Sequence, residues 1–327
     1  MRRTGLSTIA AIAFAIATPE AAAERFPGAG DMRAPAARSG PVAFGVYDPH
    51  GQYENSFLPD IEHVFVYWQA LDTQMLDEKM RLAEARGRAL MVTVEPYTEA
   101  ANWRDGGDRL LGDVARGEYD DRIAAVCGAV SGFSGDLWLR WGHEMEEPSE
   151  RYPWAGRAAE AYVSAYRHFV ETCERIVPRA RFVWSPKGEP GLSAYYPGNA
   201  HVDMVGVAVW GLEAWDRERY GRPRGFSETF REKYRRVQGF GKPVIIAEFG
   251  VAGCERYRES WIADLVGSSA KGGSFPQLTG VVYFNDKEPY HWPMGFGSPD
   301  WRASQALLET AARRLSPQVA ARRSGPN

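Results

Sequence analysis

The feature that most constrains the fold is a regular alternation of short apolar runs with helical patterns. The clearest apolar runs are Leu137–Trp141 and residues 243–248. Each is rich in aromatic or β-branched residues and too short for a helix, which predicts a strand buried on both faces. Similar runs recur along the chain, and we predict strands at 42–47, 62–68, 89–95, 137–141, 181–185, 204–209, 243–248 and 280–284.

Helical patterns separate most of these runs. Apolar residues recur at i, i+3 and i+4 in six segments, at 76–85, 121–130, 158–176, 226–237, 260–265 and 304–315. Strands that alternate with helices over about 250 residues are typical of a parallel sheet closed into a barrel. We therefore predict an α/β fold, a single (β/α)₈ TIM barrel with its active site at the C-terminal ends of the strands.

Both ends of the chain lie outside the predicted barrel. Arg2 and Arg3 precede an apolar stretch at 6–17 and small residues at 21–23, a pattern typical of a cleaved signal peptide over 1–23. We expect export to the periplasm or the extracellular space and no membrane span in the mature form, with a retained anchor as the alternative. Residues 24–41 predict a flexible lead-in, 42–316 the barrel domain, and 317–327 a polar tail.

Charge and cysteine content bear on the partners, disulfides and cofactors that we expect. The formal net charge is −3, so we expect no nucleic-acid partner, and we expect a monomer. Cys127 and Cys173 fall on predicted helices that neighbour each other in a barrel, so we expect this pair to be bridged or buried and Cys254 to be the free thiol. No metal-ligand spacing is present, and we expect neither metal nor other cofactor.

Carboxylates and aromatic residues cluster where predicted strands end. Glu144 follows the fourth strand and Glu248 ends the seventh, so both would lie on the active-site face of the barrel. Two carboxyl groups in different environments can share the acid and anion roles of glycoside hydrolysis. The other strand ends carry residues that suit a glycan cleft, although each could simply pack in the core: Tyr47, Asp48, Trp68, Glu95, Tyr97, Trp184, Trp210 and 283–285.

Four ordered motifs resemble glycoside hydrolase family 26, a β-mannanase and β-glucanase family of the large (β/α)₈ glycosidase clan. They are Arg140-x-x-His143-Glu144-Met145 on the fourth strand, Trp184-Ser185-Pro186 on the fifth, Tyr195-Tyr196-Pro197-Gly198 with Val202-Asp203-Met204-Val205-Gly206 before the sixth, and Ala247-Glu248-Phe249-Gly250 on the seventh. The resemblance covers roughly residues 42 to 310.

The resemblance implies roles for individual residues. Glu144 would be the acid/base and Glu248 the nucleophile of a retaining endo-β-glycanase that acts on polysaccharide. Arg140 would hold the carboxylate region, His143 would contact sugar hydroxyls, and Trp154 would stack on a bound sugar. From their places at strand ends we add three further substrate-binding candidates, Tyr47, Trp184 and Trp210.

Two departures from the family pattern leave the substrate open. Trp210 stands where the family has a tyrosine that bonds the nucleophile, and an indole donates a hydrogen bond but cannot accept one. Glu146-Glu147-Pro148 follows the acid/base where mannanases often carry Asn-Gly. The substrate could be mannan, mixed-linkage β-glucan, β-xylan or an exopolysaccharide of the organism itself.

Two hypotheses from other functional classes compete with the glycanase hypothesis. Loss of the sixth-strand tyrosine would fit a carbohydrate-binding pseudoenzyme on the same barrel, although both glutamates are retained. A metallohydrolase could use His143, Glu144 and Glu147, although the second histidine of a zinc-protease helix is missing.

Overall fold

Eight parallel strands close into a barrel in the computed structural model, which describes residues 40–56, 58–148, 151–269, 273–292 and 295–316. Each strand pairs with the next along the chain, and β8 pairs with β1, which confirms the predicted TIM barrel. The strands are β1 Ala43–Tyr47, β2 Ile61–Tyr67, β3 Ala89–Glu95, β4 Leu137–Trp141, β5 Arg181–Trp184, β6 Met204–Leu212, β7 Val244–Ala252 and β8 Leu278–Phe284. The predicted signal peptide, the lead-in up to residue 39 and the tail lie outside the described residues.

The helices deviate from strict alternation with the strands. They are α1 Thr73–Arg86, α2 Gly107–Ala115, α3 Asp120–Val130, α4 Ala159–Glu174, α5 Glu213–Tyr220, α6 Phe226–Val237, α7 Glu255–Ser268 and α8 Gln305–Leu315. Two helices each follow β3 and β6, whereas two 3₁₀ turns, Leu192–Tyr195 and Asn199–His201, replace a helix between β5 and β6. Within the described residues, none of the helices has the length and apolar character needed to cross a membrane.

Local sequence signals fix the ends of several helices. The Asp72 side chain accepts a hydrogen bond from the backbone nitrogen of Met75 and so caps the start of α1. Gly87 ends that helix with φ 61°, a left-handed conformation that costs glycine little. Ser304 caps α8 in the same way as Asp72 caps α1.

The barrel is plugged by an apolar layer drawn only from strands. Six strands supply its buried members, which are Ile61, Met91, Val183, Met204, Ile245, Ala247 and Val282. A larger cluster fills the space between the strands and the helices around them. Because the layer closes the barrel interior, polar side chains nearer the C-terminal strand ends sit on an apolar floor.

A disulfide joins two neighbouring helices. Cys127 on α3 and Cys173 on α4 are bonded, with their Cα atoms 5.6 Å apart, while Cys254 is an exposed free thiol. The predicted pairing is confirmed.

Removing this disulfide should destabilise the fold without touching the strand ends. The bridge spans 46 residues of sequence, for which the chain-entropy argument gives about 4 kcal/mol of stabilisation. We expect Cys127→Ala/Cys173→Ala to lower the free energy of unfolding by roughly that amount in denaturant titrations. Cys254→Ser is the matched control. Equal denaturation midpoints for the two variants would contradict the prediction.

Candidate active site

Glu248 points into the barrel mouth because β7 carries a bulge. The pairing of β6 with β7 shifts register between Val207 and Ala208, so that Val207 lies opposite Ile246 and Ala208 opposite Glu248. Ala247 belongs to the apolar plug, and Phe249 packs outward against α6 and α7. The extra residue therefore puts two consecutive side chains, Ala247 and Glu248, on the inner side of the barrel.

A buried arginine faces Glu248. Arg140 on β4 is 0% exposed and Glu248 is 7% exposed, and Arg140 Nη2 lies 2.6 Å from Glu248 Oε1. The contact is a close ion pair, although its angles are not those of a hydrogen bond. Burial raises the pKa of Glu248, the charge of Arg140 opposes this rise, and the negative charge of Glu144 adds to it. Glu144 and Glu248 therefore interact electrostatically across the mouth.

Polar side chains of β2 and β3 support Arg140 from the barrel interior. Arg140 Nη1 donates to Thr93 Oγ1 at 3.3 Å, and Thr93 Oγ1 lies 2.8 Å from His63 Nε2. Burial and the nearby Arg140 hold the pKa of His63 well below its usual value, so the imidazole is neutral. Sequence analysis did not identify Thr93 and His63 as site residues. In the sequence they are marked only as polar side chains within mostly apolar strands.

Glu144 is placed by an unusual backbone conformation. It is the one non-glycine residue with positive φ within the described ranges, at 55°, and it follows Gly142 at φ 54°. The Glu144 nitrogen donates to the Ser185 carbonyl after β5 at 2.8 Å. A left-handed non-glycine residue stores strain that is often found at functional positions.

Glu146 ties the loop that carries Glu144 to the next loop. Its carboxylate accepts hydrogen bonds from three successive backbone nitrogens, those of Lys187 at 3.0 Å, Gly188 at 2.7 Å and Glu189 at 3.1 Å. Glu147 beside it forms an ion pair with Lys187. The carboxylates of Glu146 and Glu147 thus hold the loop after β4 against the loop after β5. Glu147, which the metallohydrolase hypothesis would use as a metal ligand, is paired with Lys187.

A third carboxyl group, Glu95 at the end of β3, lies beside His143. Glu95 Oε1 is 4.0 Å from His143 Nε2, which also lies 3.1 Å from the Tyr152 hydroxyl. Burial raises the pKa of Glu95 to about 8, so this carboxyl is protonated near neutral pH. Burial and the charges of Arg140 and Arg151 hold the pKa of His143 well below its usual value. Both groups are therefore uncharged at the centre of the site.

The raised pKa of Glu95 predicts a pH-dependent cost to stability. In the unfolded chain this carboxyl ionises near 4.5, whereas in the folded state it keeps its proton to about 8. The raised pKa therefore costs no stability below pH 4.5, and the free energy of unfolding falls as pH rises from there to about 8, by a total of about 5 kcal/mol. We expect Glu95→Gln to remove this slope.

The measurement is the free energy of unfolding of Glu95→Gln and of the wild type between about pH 5 and about pH 9. Glu99→Gln is the matched control, because Glu99 lies four residues on and is exposed. If the difference between wild type and Glu95→Gln stays constant over this range while Glu99→Gln follows the wild type, Glu95 titrates normally in the folded state.

Two of the expected sugar-stacking residues lie in the core. Trp154 and Trp184 are both 0% exposed, so the expectation that their rings meet a sugar is corrected. Trp154 donates from Nε1 to the His143 carbonyl at 2.7 Å and stacks on Tyr152, so it helps to fix the position of His143. Trp184 faces the helices because Val183 beside it faces the barrel plug, and successive strand residues point to opposite sides.

Tyr47 and Trp210 remain at the mouth. Both are partly buried and pack on Phe284, at ring-centroid distances of 4.8 Å and 5.6 Å. Trp210 also packs on Trp301 at 4.7 Å. They belong to an aromatic wall over the ends of β1, β2, β6 and β8, whose partly buried members are Tyr47, Phe65, Trp210, Trp215, Trp292 and Phe296.

Arg151 links the loops after β4 and β8 across the mouth of the barrel. It lies in the loop after β4 and pairs at 3.2 Å with the buried Glu288 after β8, and strands 4 and 8 face each other across the barrel. Its guanidinium also lies 4.4 Å from the Tyr290 ring centroid. The sequence reading missed Arg151, since no strand end or periodic pattern marks it.

Comparison with known proteins relates the chain to glycanases. No family model matches it. Endoglucanase H of Acetivibrio thermocellus is 25% identical over 248 residues, which are 71% of this chain and 25% of that protein. The chain spans about a quarter of the length of the curated relatives it matches.

Solved structures share the fold at lower identity. GH26C from Muricauda sp. MAR_2010_75 superposes with a TM-score of 0.58 at 14% identity and covers 75% of this chain and 79% of that one. A modular endo-β-1,4-mannanase from Cellulomonas fimi, described as a glycoside hydrolase family 26 mannanase, gives a TM-score of 0.56 at 17% identity, over 85% and 71%. At such identity these likenesses bear on the fold alone.

Proposed function

We propose that this chain is an exported retaining endo-β-glycanase of glycoside hydrolase family 26 that cleaves a β-linked polysaccharide of the mannan or β-glucan class. The observation that carries the proposal is the buried Arg140–Glu248 ion pair at the bulge of β7, electrostatically coupled to Glu144 after β4. The name of the endoglucanase relative supports the same class of reaction.

The proposed reaction is a double displacement. Glu248 would attack the anomeric carbon while Glu144 protonates the departing glycosidic oxygen, which leaves a glycosyl ester on Glu248. Glu144, now a carboxylate, would take a proton from water as the water attacks the same carbon and releases Glu248. The first step needs an anionic Glu248, and the permanent charge of Arg140 at 2.6 Å stabilises that form against the effect of burial.

The surrounding residues would bind and orient the sugar. Neutral His143 and protonated Glu95 offer uncharged hydrogen-bonding groups for hydroxyls beside the reacting carbon. Tyr47 and Trp210 offer partly exposed ring surface on the other side of the mouth. With Trp210 in place of the family's tyrosine, the contact to the nucleophile in this structure comes from Arg140.

The direct test is release of reducing sugar from a panel of mannan, mixed-linkage β-glucan, β-xylan and exopolysaccharide. Proton NMR of the first products reports their anomeric configuration, and we expect β products from β linkages. Hydrolysis with inversion would overturn the assignment of Glu248 as nucleophile. Binding to a polysaccharide with no hydrolysis of any would instead favour a carbohydrate-binding protein.

A further inference from the structure

A pocket opens on the β2 and β3 side of the mouth. It has a volume of about 210 Å³ and is lined by Tyr67, Tyr97, Ala101, Asn102, Trp103, Arg104 and Tyr290. We call it the arginine pocket. Tyr67 ends β2 and pairs in register with Glu95, so the pocket directly adjoins the buried carboxyl of the site.

Three aromatic rings form one wall of the arginine pocket. Tyr67 lies 5.7 Å from Tyr97 and 5.5 Å from Trp103, measured between ring centroids. Tyr67 and Trp103 are 41% and 42% exposed, which is unusual for large rings held side by side. Exposed, mutually packed rings present the flat apolar surface on which a pyranose ring stacks.

Among the described residues that line the pocket, Arg104 carries the only charge. Its Nε donates to the Arg151 carbonyl at 2.9 Å, and its guanidinium lies 5.0 Å from the Tyr290 ring centroid. Across the described ranges, Arg104 has no carboxylate within ion-pair distance and its terminal nitrogens have no hydrogen-bond partner. Arg151, by contrast, is balanced by Glu288. Within the part of the chain that the structure describes, the pocket thus pairs a sugar-stacking surface with a cation that no carboxylate balances.

We propose that the arginine pocket is a subsite for an acidic sugar residue of the substrate, whose carboxylate or sulfate group pairs with Arg104. A guanidinium offers two parallel donors that match either group, and an aromatic wall holds the ring that bears it. The proposal rests on the proposed function and narrows it, because the preferred polysaccharide then carries uronic acid or sulfate ester among its residues.

Binding can be measured without turnover in the Glu248→Gln variant. Titration calorimetry would compare β-1,4-linked gluco- and manno-oligosaccharides in three forms: neutral, oxidised at C6 to uronate, and 6-O-sulfated. We expect one acidic form to bind about tenfold more tightly than its neutral parent, with the preference falling as salt is raised. The form that gains more identifies the anionic group.

Variants of the pocket separate charge from stacking. Adding Arg104→Gln should abolish the preference for the acidic form and leave the neutral ligand unchanged, whereas Trp103→Ala should weaken both. Arg109→Gln, an exposed arginine on α2 outside the pocket, is the charge-matched control and should change neither.

Failure of this subsite and failure of the proposed function give different results. Equal binding of acidic and neutral ligands, or a preference that survives Arg104→Gln, would overturn the subsite while leaving glycan hydrolysis intact. An Arg104-dependent preference in a protein whose wild type cleaves no glycan would keep the subsite and overturn the enzyme. Absence of binding to every ligand by folded Glu248→Gln would overturn the subsite, and hydrolysis of the polysaccharide panel by the wild type would decide the proposed function separately.

Discussion

Glu248→Gln is expected to lose hydrolysis of every glycan substrate, with kcat lower by about four orders of magnitude or more. The amide cannot form the glycosyl ester, so the loss is independent of the leaving group. Activated aryl glycosides should therefore fare no better than polysaccharide. The measurement is kcat on both substrate types at matched saturation.

Removing the charge of Glu248 also leaves buried Arg140 without its counter-charge. Breaking a buried pair in this way costs about 3 kcal/mol, so the unfolding transition of the variant must be recorded beside its kinetics. Glu248→Asp keeps the charge and withdraws the carboxylate by one methylene, and a displacement of about 1 Å at a reacting centre costs on the order of a hundredfold in rate.

Comparing Glu248→Gln with Glu248→Asp distinguishes the effect of the position of the carboxylate from the effect of its charge. Low activity in folded Glu248→Asp would show that the position of the carboxylate matters as well as its charge. Glu232→Gln on the exposed face of α6 is the control for loss of a glutamate charge. Folded Glu248→Gln with more than about a tenth of wild-type activity would remove Glu248 from the mechanism.

The barrel could be predicted from the sequence because each strand is short and mostly apolar, with few polar residues such as His63 and Thr93. All nine residues of Val244–Ala252 are buried, which matches a strand covered on both faces. Helix α5 escaped prediction because only Asp216 of its eight residues is buried. That carboxylate is held by Arg224 at 3.0 Å and by the Tyr257 hydroxyl at 2.8 Å, and such polar anchoring leaves no apolar period to detect.

The orientation of side chains at the strand ends was harder to predict than their location. Phe182, Val183 and Trp184 are all apolar, so the pattern carries no phase to say which residue faces the barrel interior. The bulge that turns both Ala247 and Glu248 inward depends on pairing with β6, which no local pattern encodes. The motifs therefore point to Glu144 and Glu248 as proposed catalytic residues, but they did not indicate that Trp154 and Trp184 are buried in the core.

The left-handed backbone conformation of Glu144 determines which substitution is suitable for testing its role. At φ 55° an alanine would keep the strain of a left-handed residue, whereas glycine relieves it, so Glu144→Gly removes the carboxyl group without a conformational penalty. We expect this variant to fold at least as stably as the wild type. Glu147→Ala in the same loop, paired with Lys187, controls for disturbance of the loop and should retain activity.

The kinetic effect of Glu144→Gly should depend on the leaving group, unlike that of Glu248→Gln. On polysaccharide, where the departing oxygen needs a proton, we expect kcat/KM to fall by about a thousandfold, the scale of general acid catalysis. On an activated aryl glycoside, whose leaving group departs unprotonated, kcat/KM should fall less than about tenfold, while kcat falls further because no base activates water in the second step. Added azide should attack the accumulated ester, raise kcat and yield a β-glycosyl azide, because the anion needs no base and enters from the face that water would use. If Glu144→Gly loses activity equally on both substrates and azide restores none, proton transfer belongs to another group, and the raised pKa of Glu95 makes that residue the next one to substitute.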